Sequence, residues 1–456
     1  MSQQNRRDFL TGTAVAAIGL ALGDQAGAQD PGSPSSAPPT PSPYRPPAGF
    51  AAPPMDVVRM AFVGVGLQGG SHVKNFLRIP GVEIVAICDV DAPRAAEVAG
   101  WVTADGRREP ELYTRGETDW KRLCERDDVD LVFNSTPWRW HVPVCVEAMK
   151  TGKHTAVEVP AAYTVDGCWE LVETAEETHR HCVMMENCNY GRAELMVLNM
   201  VRHGLFGELL HGEGAYIHDL RAIKLDDKNE GLWRWQHSVA RNGNLYPTHG
   251  LGPIAQAMDV NRGDQFDHLV SMSSPARGLA LWAREHLPAD DPRREVEFQL
   301  GDMNTSIIKT KLGRTIMVQH DTTTPRPYSR INLLQGTRGI FSGYPDKIHV
   351  EGRTEGHGWD DIEPYRKEFD HPLWVKLERE AEGARHGGMD YLEDYRLIEC
   401  LRKGKPTDMD VYDAAAVSVV TELSERSVAN GSAPQPVPDF TRGGWKVNEP
   451  LKIVGG

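Results

Sequence analysis

Three glycines, spaced Gly64-x-Gly66-x-x-Gly69, stand between an apolar run, Val57 to Val63, and a helical stretch around Ser71 to Leu77. A continuous apolar run of this length belongs to a strand buried on both faces, as in a parallel sheet. The glycines allow a tight turn, close backbone approach to a pyrophosphate, and close packing of helix on strand, with phosphates at the helix N-terminus. A second strand, Val82 to Cys88, ends in Asp89, 20 residues beyond Gly69. A carboxylate there accepts hydrogen bonds from the adenosine ribose and repels a 2′-phosphate, so the pattern predicts NAD rather than NADP. The expected cofactor contacts begin with Gly64, Gly66, Leu67, Gln68, Gly69 and Asp89.

The pattern continues through a strand at Asp130 to Pro137, a helix from about Pro143 to Thr151, and HTAVEVP, ending Glu158-Val159-Pro160. Polar groups at the carboxyl ends of parallel strands border the cofactor crevice, and the loop Trp138-Arg139-Trp140-His141 sits at such an end. A doubly wound Rossmann domain is therefore predicted over 55–186. After about Asn187 a helix near Ala193 to His203 gives way to strand-like runs: HGEGAYI, HLVSMSSPA, EVEFQLGDMNTSIIKTKLGRTIMVQHDTT, RINLLQGTRGIFSG and KIHVEG. Their alternation suits an antiparallel sheet with one solvated face. Helical spacing returns between Asp390 and Ala429. The expected fold class is α/β, with an α+β second domain over 187–456.

The chain opens with Asn5-Arg6-Arg7-Asp8-Phe9-Leu10 and the apolar stretch TGTAVAAIGLALG. At about 13 residues this is too short to span a bilayer, which takes about 20. Paired arginines, a short apolar core and Ala26-Gly27-Ala28 predict a twin-arginine export signal over 1–28, and a periplasmic or secreted product without a membrane anchor. Residues 29–54, dense in Pro, Ser and Ala, read as a spacer. The net charge of −14 argues against a nucleic-acid partner. The seven cysteines (Cys88, Cys124, Cys145, Cys168, Cys182, Cys188, Cys400) lack zinc-ligand spacing, so neither a disulfide nor a metal site is expected.

The glycine turn, STPWRWH and EVP together resemble the glucose–fructose oxidoreductase, inositol dehydrogenase and rhizopine-catabolism superfamily. Most members have Glu-Lys-Pro where this chain has Glu158-Val159-Pro160, and the missing lysine serves proton transfer in simple dehydrogenases. MMENCNYGRAELMVLNMVRHGLFGEL, HGEGAYIHDL and ARNGNLYPTHGLGPIAQAMDVNRGD are similar to glycoside hydrolase family 109, NAD-dependent glycosidases with α-N-acetylgalactosaminidase as characterised activity. The resemblance implies NAD contacts from Leu67, Gln68, Asp89, Trp138, Arg139, Trp140, His141, Glu158, Val159 and Asn187. It implies a sugar site of Tyr216, Arg234, Tyr246, His249 and Tyr328. It also implies an open-faced second sheet that supports a homo-oligomer.

The implied reaction oxidises carbon 3 of the sugar, eliminates the aglycone, hydrates the enone and reduces it again, so tightly bound NAD rests as NAD+. Imidazole suits the base this needs, which singles out His249; Tyr246 is a second acid/base candidate, less apt because an unperturbed phenol titrates near ~10. His218 ranks below His249. Arg234 offers a planar fork of donors, and Tyr216 and Tyr328 offer flat faces to a pyranose. The expected substrate is a glycan with terminal N-acetylgalactosamine. The alternatives are a periplasmic sugar oxidoreductase with tightly held NAD(P), and a non-catalytic sugar-binding protein.

Overall fold

Six short strands build the first sheet: β1 (Val58–Val63), β2 (Val82–Cys88), β3 (Glu111–Tyr113), β4 (Leu131–Asn134), β5 (His154–Val157) and β6 (Cys182–Met184). Their order is β3-β2-β1-β4-β5-β6, and every pairing is parallel. All side chains of β4, β5 and β6 are buried, as expected for strands covered on both faces. Strand order reverses between β1 and β4, where a doubly wound sheet opens its ligand crevice. The first helix, Leu67–Leu77, starts four residues before the expected Ser71, because the glycine turn forms its first turn. The computed structural model describes residues 49–450 and Ile453, so the expected export signal, 1–28, and the spacer as far as residue 48 lie outside the described residues.

The second sheet has eight strands: β7 (Leu209–Ile217), β8 (Phe266–Ser273), β9 (Asn304–Thr310), β10 (Thr315–Asp321), β11 (Leu333–Gly336), β12 (Gly339–Ser342), β13 (Lys347–Val350) and β14 (Gln435–Pro436). The order is β13-β12-β11-β7-β10-β9-β8-β14, antiparallel except for the β7–β10 pair. Helices Thr248–Ala257 and Val420–Ala429 pack on β7 and β8. Met272 and Ile307 are large apolar side chains of this sheet that remain exposed. The strand-like run EVEFQL forms no strand: a 3-10 turn at Pro292–Glu295 precedes irregular chain that donates backbone hydrogen bonds to Ser238.

The two sheets share one core. A single apolar cluster contains Phe62 and Phe133 of the first sheet with Leu251, Ile254, Ile316 and Leu334 around the second. The late helices Met389–Lys403 and Val411–Ser418 pack back on the nucleotide half, against the helices Leu67–Leu77 and Val165–Thr178 respectively. The end of the expected spacer is also docked: Phe50 lies 4.6 Å from the His181 ring, and the Ala52 amide donates to His181 Nε2 at 3.2 Å. Among the described residues, no helix is long and apolar enough to cross a membrane.

Candidate active site

The glycine turn is shaped by backbone contact. Gly64 has φ +84°, and a Cβ there would meet the Ser135 carbonyl oxygen at 2.8 Å; one on Gly69 would meet the Gly64 carbonyl at 2.2 Å. A Cβ on Gly66 would meet nothing within 4 Å, so this side of the turn is open to a phosphate, as the spacing requires. Asp89 is pinned beside it, accepting from the Val65 amide at 2.7 Å and the Asp91 amide at 2.9 Å, with lone pairs left for a ribose. Arg94 closes the outer rim by donating to the Val65 and Gly66 carbonyls at 2.7 and 3.0 Å. Leu67 is half exposed at the turn, and Gln68 reaches Asp390 at 3.3 Å. The residues present fit a dinucleotide.

The loop after β4 divides its four residues among different tasks. Trp138 is buried and stacks on Tyr246, with ring centroids 5.7 Å apart. Arg139 is exposed and pairs with Glu117 at 2.5 Å, while Trp140 packs edge-on against Trp120 at 5.9 Å. Both ring nitrogens of His141 lie 2.8 Å from backbone carbonyls, those of Pro160 and Thr136, and burial pushes its pKa down. Val159 is buried, and Glu158 bonds His72 Nε2 at 2.8 Å. Asn187 donates to Asp390 at 2.7 Å.

The sugar-site candidates converge. Gly214 of β7 and Gly250 meet backbone to backbone: a Cβ on Gly214 would lie 2.1 Å from the Gly250 carbonyl oxygen. This contact lets the helix Thr248–Ala257 sit directly on β7 and brings His249 beside Tyr216. Ring centroids are 5.3 Å apart for Tyr216 and His249, 4.9 Å for Tyr246 and His249, and 4.7 Å for Tyr216 and Tyr246. Tyr328 stands 6.5 Å from Tyr216 and 5.0 Å from His218, whose Nδ1 lies 3.1 Å from the Tyr216 hydroxyl. The Arg234 guanidinium lies over Tyr246 at 4.7 Å and Trp138 at 5.4 Å, and is bound to Glu230. Burial pushes the Tyr216 phenol up to about 12 against the opposing pull of Arg234, and pushes Tyr246 well above its usual value. Both phenols are therefore held in the neutral form, with a hydroxyl able to donate a hydrogen bond.

Sequence reasoning missed Glu186, which follows β6. Fully buried, it accepts from His249 Nδ1 at 2.7 Å and from the Cys188 amide at 3.0 Å. Burial pushes its carboxyl up, but His249 outweighs this and holds it below the ordinary carboxylate value. The bond fixes the imidazole so that Nδ1 donates and Nε2 carries the free lone pair. Glu186, Cys188 and His249 present potential metal-ligand atoms within 4.8 Å of one another. The donor chemistry disfavours a cation, since burial pushes the Cys188 thiol well up and it donates to Asn187 Oδ1 at 3.4 Å. Also missed was His72, which bridges Glu158 and Asp394 at 2.8 Å each. Only Glu186 carried any textual signal, as the acidic residue beside Asn187.

The family model described as "Oxidoreductase family, NAD-binding Rossmann fold" matches residues 58–186, and the one described as "Glycosyl hydrolase 109, C-terminal domain" matches 190–447. A glycosyl hydrolase family 109 protein of Shewanella pealeana is 52% identical, covering 99% of both chains. An alpha-N-acetylgalactosaminidase of Shewanella oneidensis is 50% identical over the full length of both. Among solved structures, levoglucosan dehydrogenase in complex with NADH aligns with a TM-score of 0.64 at 19% identity, covering 84% of this chain and 99% of that one. An NAD-binding oxidoreductase from Klebsiella pneumoniae aligns at 0.66 with 15% identity, covering 84% and 99%. The latter two show the fold alone. With an NAD-binding domain joined to the family's own C-terminal domain, and half of all positions identical over full-length relatives, the chain belongs to glycosyl hydrolase family 109.

Proposed function

We propose that the protein hydrolyses α-N-acetylgalactosaminides through oxidation at carbon 3, elimination of the aglycone, hydration and re-reduction, with no net redox change. One observation carries this reading. The three carboxylates around the pocket, Glu158, Glu186 and Glu230, are each bound to a basic side chain: His72, His249 and Arg234. A conventional glycosidase needs one protonated acid opposite one free carboxylate. Here His249 Nε2 is instead the basic atom facing a ring of neutral phenols.

Bound NAD+ supplies a reversible two-electron acceptor beside the sugar. Arg234, its charge balanced by Glu230, holds a hydroxyl or the acetamido oxygen through parallel N–H donors. Tyr216 and Tyr328 offer apolar faces to the pyranose and exclude water from it, and Trp138 backs Tyr246 from behind. His249 Nε2 takes a proton from the sugar as the adjacent ketone makes it acidic, and Glu186 stabilises the imidazolium that results. Tyr246 donates from its neutral hydroxyl and returns to that state at the end of the cycle. The valine at 159, where related dehydrogenases have lysine, removes the proton carrier that simple alcohol oxidation uses, which favours the glycosidase over a sugar oxidoreductase.

The same reading covers location and cofactor. The twin arginines at Arg6 and Arg7 suit export of a folded protein with NAD already seated, to a periplasmic or secreted location. A cycle that restores NAD+ needs no cofactor pool there, so the nucleotide is held tightly. Exposed Met272 and Ile307 on the second sheet support pairing of two copies. The test is incubation with p-nitrophenyl α-N-acetylgalactosaminide and no added cofactor. Nitrophenol released without net NADH is expected. NADH accumulating from free sugars without aglycone release would establish the oxidoreductase instead.

A further inference from the structure

A cavity of about 360 Å³ lies beside the sugar site, bounded by Arg330, Tyr344, Asp346, Trp374 and His386, with the first turn of the helix Arg192–Arg202 as floor. His249, Tyr246 and Tyr216 are not among its walls. It nevertheless adjoins them through two shared partitions. Arg330 Nη1 donates to the Tyr328 hydroxyl at 3.0 Å, and the Tyr344 ring lies 6.0 Å from that of Tyr328. On the other side, His386 Nδ1 is 3.3 Å from the Asn187 amide. A group attached to a sugar held against Tyr328 would leave the sugar site next to this cavity.

Its chemistry selects among ligands. Arg330 is already neutralised by Glu194 at 2.5 Å and Arg192 by Asp370 at 2.6 Å, His386 lies 2.8 Å from Asp390, and Asp346 faces Arg366 at 3.7 Å. With both signs paired, the cavity offers no net charge to hold a phosphate or a carboxylate. It does offer the remaining N–H groups of Arg330, carboxylate acceptors, and the half-exposed ring of Tyr344. Donors and acceptors beside aromatic faces suit a neutral, hydroxyl-rich ring. The volume is at the small end of the range for ligand cavities, roughly 300–1,000 Å³, which suits one residue and not a long chain.

We propose that this cavity receives the leaving group of the reaction: a neutral sugar residue to which the terminal sugar is linked. The proposal rests on the glycosidase reading above and adds a second subsite that sets which glycans are cleaved.

The test uses the holoenzyme with Tyr344→Ala and Asp346→Asn, two changes outside the catalytic cluster. The probes are methyl α-N-acetylgalactosaminide and the disaccharide in which N-acetylgalactosamine is α-linked to galactose. The wild type should show kcat/KM about tenfold higher on the disaccharide, and each variant should remove most of that advantage while leaving the methyl glycoside within about twofold. Equal losses on both substrates, or a ratio unchanged by either variant, would overturn the proposal. If the wild type cleaves neither glycoside, the glycosidase reading fails. Calorimetric titration with galactose alone then decides the cavity: binding that Tyr344→Ala abolishes supports it, and no binding by the wild type overturns it.

Discussion

His249 and Glu186 are 63 positions apart in the chain and 2.7 Å apart in the fold. His249→Ala removes the basic nitrogen facing the phenols, and kcat should fall about a hundredfold to ten-thousandfold; it also leaves the buried Glu186 carboxylate without its partner, so the thermal midpoint should fall as well. Glu186→Gln keeps the shape but not the charge, and a loss of about tenfold to a hundredfold is expected, as for other groups that orient a reacting side chain. The pH dependence follows from sign. A carboxyl held below its ordinary value in the fold contributes stability above its unfolded pKa and loses it as pH falls through the lower folded one. Urea titrations should therefore show wild type and Glu186→Gln converging in acid and separating toward neutrality. His249 was legible because it stands in NGNLYPTHGLGP, but its partner was not. The spacing along the chain says nothing about which carboxylate the end of β6 brings to the helix Thr248–Ala257.

The helix Met389–Lys403 shows why element-level reading was incomplete. Its spacing was legible, but not that its acidic residues face inward: Asp390, Glu393 and Asp394 are all buried against the nucleotide half. Of the three, Asp394 pairs with His72, a residue of the glycine-turn helix more than 300 positions earlier, while Asp390 pairs with Asn187 and His386. Burial lowers the pKa of His72, but Asp394 and Glu158 more than compensate and hold it well above the usual histidine value. The stability this adds is complete below the unfolded histidine pKa and is lost as pH rises through the folded one. His72→Ala leaves two carboxylates without their cation and should cost about 3–5 kcal/mol in chemical denaturation at neutral pH. Glu393 behaves oppositely. It is buried with neither carboxyl oxygen hydrogen-bonded, and burial with nearby carboxylates pushes it well up, despite His72. Folding therefore becomes harder as pH rises above the ordinary carboxylate value, so Glu393→Gln should gain stability over wild type between pH 5 and 8, by denaturant midpoint.

At the scale of the molecule, the Rossmann sheet and the mostly antiparallel second sheet were both legible, the first from its glycine turn and Asp89, the second from alternation. What the text did not show is that they share one core and that two late helices return to the nucleotide half, because such packing is decided by distant surfaces and not by local period. The consequence is a nucleotide-binding half braced by the helices Met389–Lys403 and Val411–Ser418. Protein purified without added nucleotide should carry about one NAD per chain, released on denaturation and measured by absorbance; a nucleotide-free preparation with full activity would contradict this. In the proposed reaction the glycosidic bond is broken by elimination through a carbon 2 anion. Hydrolysis of an α-N-acetylgalactosaminide in deuterium oxide, with the released sugar examined by NMR, tests it most directly. Elimination requires deuterium at carbon 2 of the released N-acetylgalactosamine. Full turnover with carbon 2 still carrying its original proton would contradict it.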